Sequence, residues 1–208
     1  MSHETGRKKI YLASKSPRRR ELLRQIGIDF ELLLLRADGP RGADVTEEVI
    51  EGEAPLDYVA RVAQEKAAFG YKLVQRRHLK PRAVLTADTT VTIDGQILGK
   101  PADRAEASAM LTQLSGRTHQ VLTAIAVHSA DFTGQITQVS EVRFGVLTPA
   151  AIAAYCATLE PYDKAGGYGI QGPAAQFIEH IAGSHSGIMG LPLYETAQLL
   201  RQAGLPLP

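Results

Sequence analysis

Apolar residues fall in short runs between polar, glycine-rich and proline-rich stretches, and their spacing predicts a mixture of strands and helices. Ile10 to Ala13 reads as a short buried strand. Two serines follow, and Pro17 stands where a first helical turn begins, because its missing N–H has no helical partner there and its φ is preset. Ser16 is a good N-cap; Leu22, Leu23 and Ile26 recur at helical spacing, and Gly27 ends the helix. Asp29 to Arg36 predicts a second buried strand, and Leu56 to Val74 an amphipathic helix. Ala83 to Ala87 predicts a strand ending at Asp88-Thr89, followed by a hairpin from Thr90 to Leu98 about Asp94-Gly95. Arg104 to Leu114 is helical, Gln120 to His128 and Ile136 to Leu147 are strands, and Thr148-Pro149 opens a helix to about Leu159. Gln176 to Ala182 is a strand, Gly183 to Leu191 a loop and Pro192 to Gln202 a closing helix. Ala37 to Pro55, rich in Gly, Pro and acidic residues, reads as a mobile loop. Strands and helices do not alternate strictly, so the expectation is α/β with a mixed sheet, and no clear linker divides two domains. Residues 1–9 read as a disordered tail and 10–208 as one domain.

Composition narrows the function classes. A hydrophobic content of 44% with 22% charged residues is enough for a sizeable core. A formal net charge of +1 argues against binding nucleic acid by bulk electrostatics. The single cysteine, Cys156, permits no internal disulfide, fits a reducing compartment and reads as a small buried apolar residue. No apolar run reaches membrane-spanning length, and polar Met1 to Lys9 lacks the core of a signal peptide, so the expected location is cytoplasmic.

Chemistry gathers in four places. The Ser14–Arg19 turn aims serine hydroxyls, free helical N–H groups and guanidinium groups at one spot, which suits an anion such as polyphosphate. Asp88 follows an apolar strand, where α/β sheets collect ligands; it is a metal ligand, a general base or a turn former. Lys100 stands between Gly99 and Pro101, and Lys164 and Gln171 lie in the glycine-rich run from Asp163 to Gly172. Arg18, Arg19, Lys100 and Lys164, joined by Lys66, are enough cations to neutralise a triphosphate beside a carboxylate, the requirements of phosphoanhydride hydrolysis. His119, His128, His180 and His185 lack metal-ligand spacing and read as structural or surface residues.

Leu12-Ala13-Ser14-Lys15-Ser16-Pro17-Arg18-Arg19, Ala87-Asp88-Thr89, Gly99-Lys100-Pro101, Asp163-Lys164-Ala165-Gly166, Gly169-Ile170-Gln171-Gly172 and Gly190-Leu191-Pro192-Leu193 together resemble the Maf family of nucleotide pyrophosphatases. The resemblance runs in order from Ile10 to about Ala203, and the Asp163–Gly172 run is similar to the branch acting on dTTP and UTP rather than the one acting on 7-methyl-GTP. It implies an inosine-triphosphatase-like (Maf/Ham1) fold, a mixed elongated sheet flanked by helices with a cleft between two lobes. The implied reaction converts a nucleoside triphosphate and water to a monophosphate and pyrophosphate with Mg²⁺ or Mn²⁺, in a homodimer. It also implies Asp88 as proton acceptor and metal ligand, and Arg18, Thr89 and Gln171 as specificity residues. Ser14, Ser16, Arg19, Lys66, Lys100 and Lys164 fall on polar or phosphate-binding positions. Where the family carries an acidic residue after the second strand, this chain has an expanded loop, so Asp38, or later Glu47 or Glu48, takes that place. The rival readings are a non-enzymatic nucleotide- or nucleic-acid-binding regulator of septum formation, and a pyrophosphatase for 7-methyl-GTP or other modified nucleotides.

Overall fold

The computed structural model describes residues 9–36 and 43–205. Its elements are β1 (Ile10–Leu12), α1 (Pro17–Gln25), β2 (Phe30–Leu32), α2 (Pro55–Arg76), β3 (Val84–Ile93), β4 (Gln96–Leu98) and α3 (Arg104–Leu114). Then come β5 (Thr118–His128), β6 (Thr133–Phe144), α4 (Pro149–Cys156), β7 (Ile178–Ala182), α5 (His185–Ile188) and α6 (Leu193–Gln202). Three 3₁₀ turns, Glu160–Asp163, Ala165–Gly167 and Pro173–Phe177, occupy the glycine-rich run between α4 and β7. Among the described residues no helix is long and apolar enough to cross a membrane.

Seven strands form one mixed sheet in the order β2-β1-β3-β5-β6-β7, with β4 paired to β3. β1 runs parallel to β2 and β3, and the remaining pairs are antiparallel. Side chains alternate across the sheet, so it carries different cores on its two faces. On one face Val59, Val62, Ala63 and Ala67 of α2 pack against Leu122, Ala124 and Ala126 of β5. The other face holds two clusters. Ala87 and Ile125 belong to one, with β1, α1 and α6; Val91 and Val121 belong to the other, with α3 and α4. Between them, on the same face and in register, lie Thr89 and Thr123.

The sheet has one gap that matters. β5 lines one edge of β3 from Val84 to Thr92. On the other edge β1 pairs only with Val84 and Leu85, and β4 only from Val91 to Ile93. Residues 86–90 therefore have no strand on that side among the described residues, and the turn between β1 and α1 stands beside the opening.

Four expectations need correction. Asp88 does not end a strand but sits near the middle of ten-residue β3, because Thr89 and Thr90 continue the strand's alternation instead of turning. The strand expected over 29–36 is short and only partly buried: Phe30–Leu32 forms the sheet's edge, with Leu32 and Leu34 exposed. The helix expected to reach Leu159 stops at Cys156, and the loop expected over 183–191 contains α5. Of the expected mobile loop, residues 37–42 lie outside the described residues, and with them Asp38; the tail to Lys8 does so too.

Candidate active site

The gap in the sheet opens into a cleft of about 750 Å³ lined by Ser14, Ser16, Arg18, Arg19, Glu47, Lys66, Asp88, Thr89, Lys100, Lys164 and Gln171; Glu48, the other described acidic candidate, is not among its lining residues. The turn after β1 is built by its serines. Ser16 caps α1, its Oγ accepting from Arg19 N at 3.5 Å, and Ser14 Oγ accepts from Ser16 N at 3.2 Å. Arg19 is then drawn back across the turn. Its guanidinium donates to Gly190 O at 2.7 Å, to Ser14 Oγ at 3.3 Å and to Thr89 Oγ1 at 3.0 Å. Gly190 has a φ of +105°, a conformation that L side chains rarely adopt, and so its carbonyl is free to meet Arg19. Arg19 is thus a half-buried clamp tying α1, β3 and the loop before α6. Burial lowers its pKa against the raising influence of Asp88, yet leaves a source of positive potential.

Asp88 points from β3 toward α2. It is 7% exposed, and Lys66 Nζ donates to its Oδ1 at 2.8 Å. The same ammonium pairs with Glu47 Oε1 at 2.7 Å, so one lysine joins two carboxylates. Thr86, two residues before Asp88 and fully buried, donates to Ala63 O at 2.7 Å and pins α2 to the strand one turn ahead of Lys66. Burial pushes Asp88 above the usual aspartate range, Lys66 and Arg19 oppose the rise, and Glu47 adds to it. Burial would raise Glu47 as well, but Lys66, Lys100 and Arg19 carry it below its ordinary value.

Glu47 reaches this point because α2 holds its segment in place. Tyr58 Oη donates to Glu47 O at 2.9 Å, and Arg61 donates to Glu48 O at 3.0 Å and to both Glu53 oxygens at 2.6 and 2.9 Å. Among the described residues of the acidic loop, Glu47 is the one that shares Lys66 with Asp88, while Glu48 offers Arg61 its carbonyl. On the opposite wall Lys164 Nζ donates to Glu160 O at 2.9 Å and to Asp163 Oδ1. Gly172 permits a close approach there, since a Cβ would meet Glu160 Oε1 at 2.0 Å. The side chains of Arg18 and Lys100 line the cleft without a hydrogen bond to the described residues.

Three contributors escaped sequence reasoning. Thr123 is fully buried and touches Thr89 at 3.0 Å; a threonine inside the apolar run Val121–Val127 was its only signal. Tyr58 and Arg61 fall on the helical pattern but act through the loop they hold. His119, by contrast, is structural, one of the two roles its spacing allows: it is buried and meets Tyr168 Oη at 2.6 Å, anchoring a residue of the far wall.

A mixed α/β sheet interrupted by a cation-lined cleft brings arginines, lysines and one buried carboxylate to a single cavity, a combination that suits an anionic ligand. The chain belongs to the family described as Maf-like protein, whose sequence pattern matches residues 9–203. Among its relatives, the dTTP/UTP pyrophosphatase of Aromatoleum aromaticum is 58% identical over 201 residues, covering 96% of this chain and 97% of that protein. The dTTP/UTP pyrophosphatase of Ralstonia nicotianae is 57% identical over 199 residues, covering 95% of each. The solved Ham1 protein of Staphylococcus aureus aligns with 66% of this chain and 72% of its own at 16% identity, with a TM-score of 0.45.

Proposed function

We propose that this chain hydrolyses dTTP and UTP between the α- and β-phosphates, releasing the monophosphate and pyrophosphate. The observation that carries the reading is Asp88 on the cleft floor, joined through Lys66 to Glu47 and set within the field of Arg19. The relatives named for that activity span nearly the whole chain.

In this reading Lys100 and Lys164 receive the triphosphate, with the hydroxyls of Ser14 and Ser16 beside it. Asp88 takes the proton of the attacking water. Its raised pKa makes it a stronger base than an exposed aspartate, while Lys66 keeps it charged until the proton moves. Gln171, with both an amide donor and a carbonyl acceptor, and Arg18 and Thr89 read the base or sugar.

The donor set also fits a divalent cation. Among the described residues there is no cluster of three or more His, Cys, Asp or Glu side chains. Asp88 and Glu47, however, converge on one ammonium, and Mg²⁺ is commonly held by one or two carboxylates with substrate phosphates and water completing its shell. Bound by Asp88 and Glu47, the ion would neutralise phosphate charge and stabilise departing pyrophosphate.

The test is a panel of nucleoside triphosphates, 7-methyl-GTP included, assayed for pyrophosphate and orthophosphate with Mg²⁺ or Mn²⁺. Pyrophosphate from dTTP and UTP ahead of the rest is expected. Orthophosphate alone, or preference for 7-methyl-GTP, would overturn the reading.

A further inference from the structure

The hydroxyl at the centre of the cleft is wired in one direction. Thr123 Oγ1 lies 2.8 Å from Gly187 O, and a carbonyl has no proton to give, so Thr123 is the donor. A hydroxyl has only one proton. The 3.0 Å contact between Thr89 and Thr123 is therefore donated by Thr89. Arg19 Nη2, 3.0 Å from Thr89 Oγ1, can only donate. Thr89 thus sends its proton inward and accepts one from Arg19, so its remaining lone pair is all that its hydroxyl presents to the cleft. The pair sits between the two apolar clusters of that face, where hydrogen-bond direction is strongly held.

From this polarity we infer that Thr123, which itself lies beneath the cleft, is a positioning residue for substrate choice: it fixes Thr89 as an acceptor that demands an N–H or O–H from the bound nucleotide. The inference rests on the proposed pyrimidine nucleoside triphosphate substrate. Two parts of dTTP or UTP carry the required donor. One is the imide N3–H of uracil or thymine, replaced in cytosine by an acceptor; the other is a sugar hydroxyl. Sites that hydrogen-bond a substrate group reject analogues lacking it far more strongly than apolar pockets reject a change of size.

The test compares kcat/KM on UTP, CTP and 2′,3′-dideoxy-UTP for the wild type, Thr123→Val and Thr123→Ser. Valine removes the acceptor that fixes Thr89, freeing that hydroxyl to donate; serine keeps the chain of hydroxyls. If the donor is the imide, Thr123→Val lowers the UTP-to-CTP ratio by about tenfold and leaves the UTP-to-dideoxy-UTP ratio unchanged. If it is a sugar hydroxyl, the second ratio falls and the first does not. In either case Thr123→Ser retains the wild-type ratios. A uniform loss on all three substrates, with both ratios intact, would overturn the proposal. Should Thr123→Val fail to fold, Thr89→Val removes the acceptor itself and must narrow one of the two ratios; unchanged ratios there are equally fatal. A wild type that cleaves no pyrimidine triphosphate would sink the functional reading and this inference with it, whereas unchanged ratios among active variants sink the inference alone.

Discussion

Two buried polar side chains of this sheet, Asp88 and His119, are paired with opposite consequences. Asp88 meets Lys66 at 2.8 Å beside the open edge of β3; His119 meets Tyr168 at 2.6 Å inside a cluster with Phe144. Burial disfavours charge at both. At Asp88 it is opposed by Lys66 and Arg19, so the carboxylate keeps fixed cations around it. At His119 nothing opposes it, and the imidazole falls from an ordinary 6.5 to about 4. The charged pair opens onto a cleft where a substrate's own charge can join the network. The neutral pair is sealed and fastens Tyr168, a residue of the cleft wall, to β5. A buried polar group is chemically useful here where its compensating charges are shared with the solvent-facing cavity, and architectural where they are absent.

That contrast can be broken at either pair. The largest effect belongs to Asp88→Asn, which removes the proposed base and should lower kcat by about 10²–10⁴-fold while the protein stays folded. Steady-state pyrophosphate release, with circular dichroism as the folding check, measures it. Lys66→Met should cost about 10–100-fold in kcat/KM. It removes the cation that holds Asp88 down, so the acidic limb of the pH–rate profile must also move to higher pH; an unmoved limb would show that Lys66 does not tune the base. Glu47→Gln should weaken Mn²⁺ affinity in the presence of nucleotide about 10-fold, read by electron paramagnetic resonance rather than by turnover.

The smallest effect on turnover belongs to His119→Gln. Its signature lies in stability. The native imidazole resists protonation, so as pH falls through 6.5 the unfolded chain takes up a proton that the folded chain refuses until about 4. The stabilisation is present in full above pH 6.5 and is lost between there and pH 4, an amount on the order of 3 kcal/mol at most. Denaturant midpoints measured across that window should fall in the wild type and flatten in the variant. Parallel curves would mean that His119 is charged or solvated in the native state.

Much of the site was legible because its determinants are local. Ser14, Ser16 and Pro17 specify a capped helix start within four residues, and that turn is formed as expected. The Asp94-Gly95 hairpin is equally self-contained. Asp88 stands out in the sequence as a candidate, yet its place on the strand does not, because the pattern of apolar residues cannot show that threonines extend β3 beyond Ala87. Which acidic residue meets Lys66 depends on Tyr58 and Arg61 gripping the loop from α2, contacts that no spacing within the loop encodes. Thr123 is set opposite Thr89 by the pairing of β3 with β5, a register fixed by whole strands rather than by either residue's neighbours.

The central claim, that the cleft directs water to the α-phosphorus, is tested most directly by hydrolysing dTTP in ¹⁸O-labelled water. Mass spectrometry of both products should find the label in the monophosphate and none in pyrophosphate. Label in the pyrophosphate would place the attack on the β-phosphorus and contradict the account.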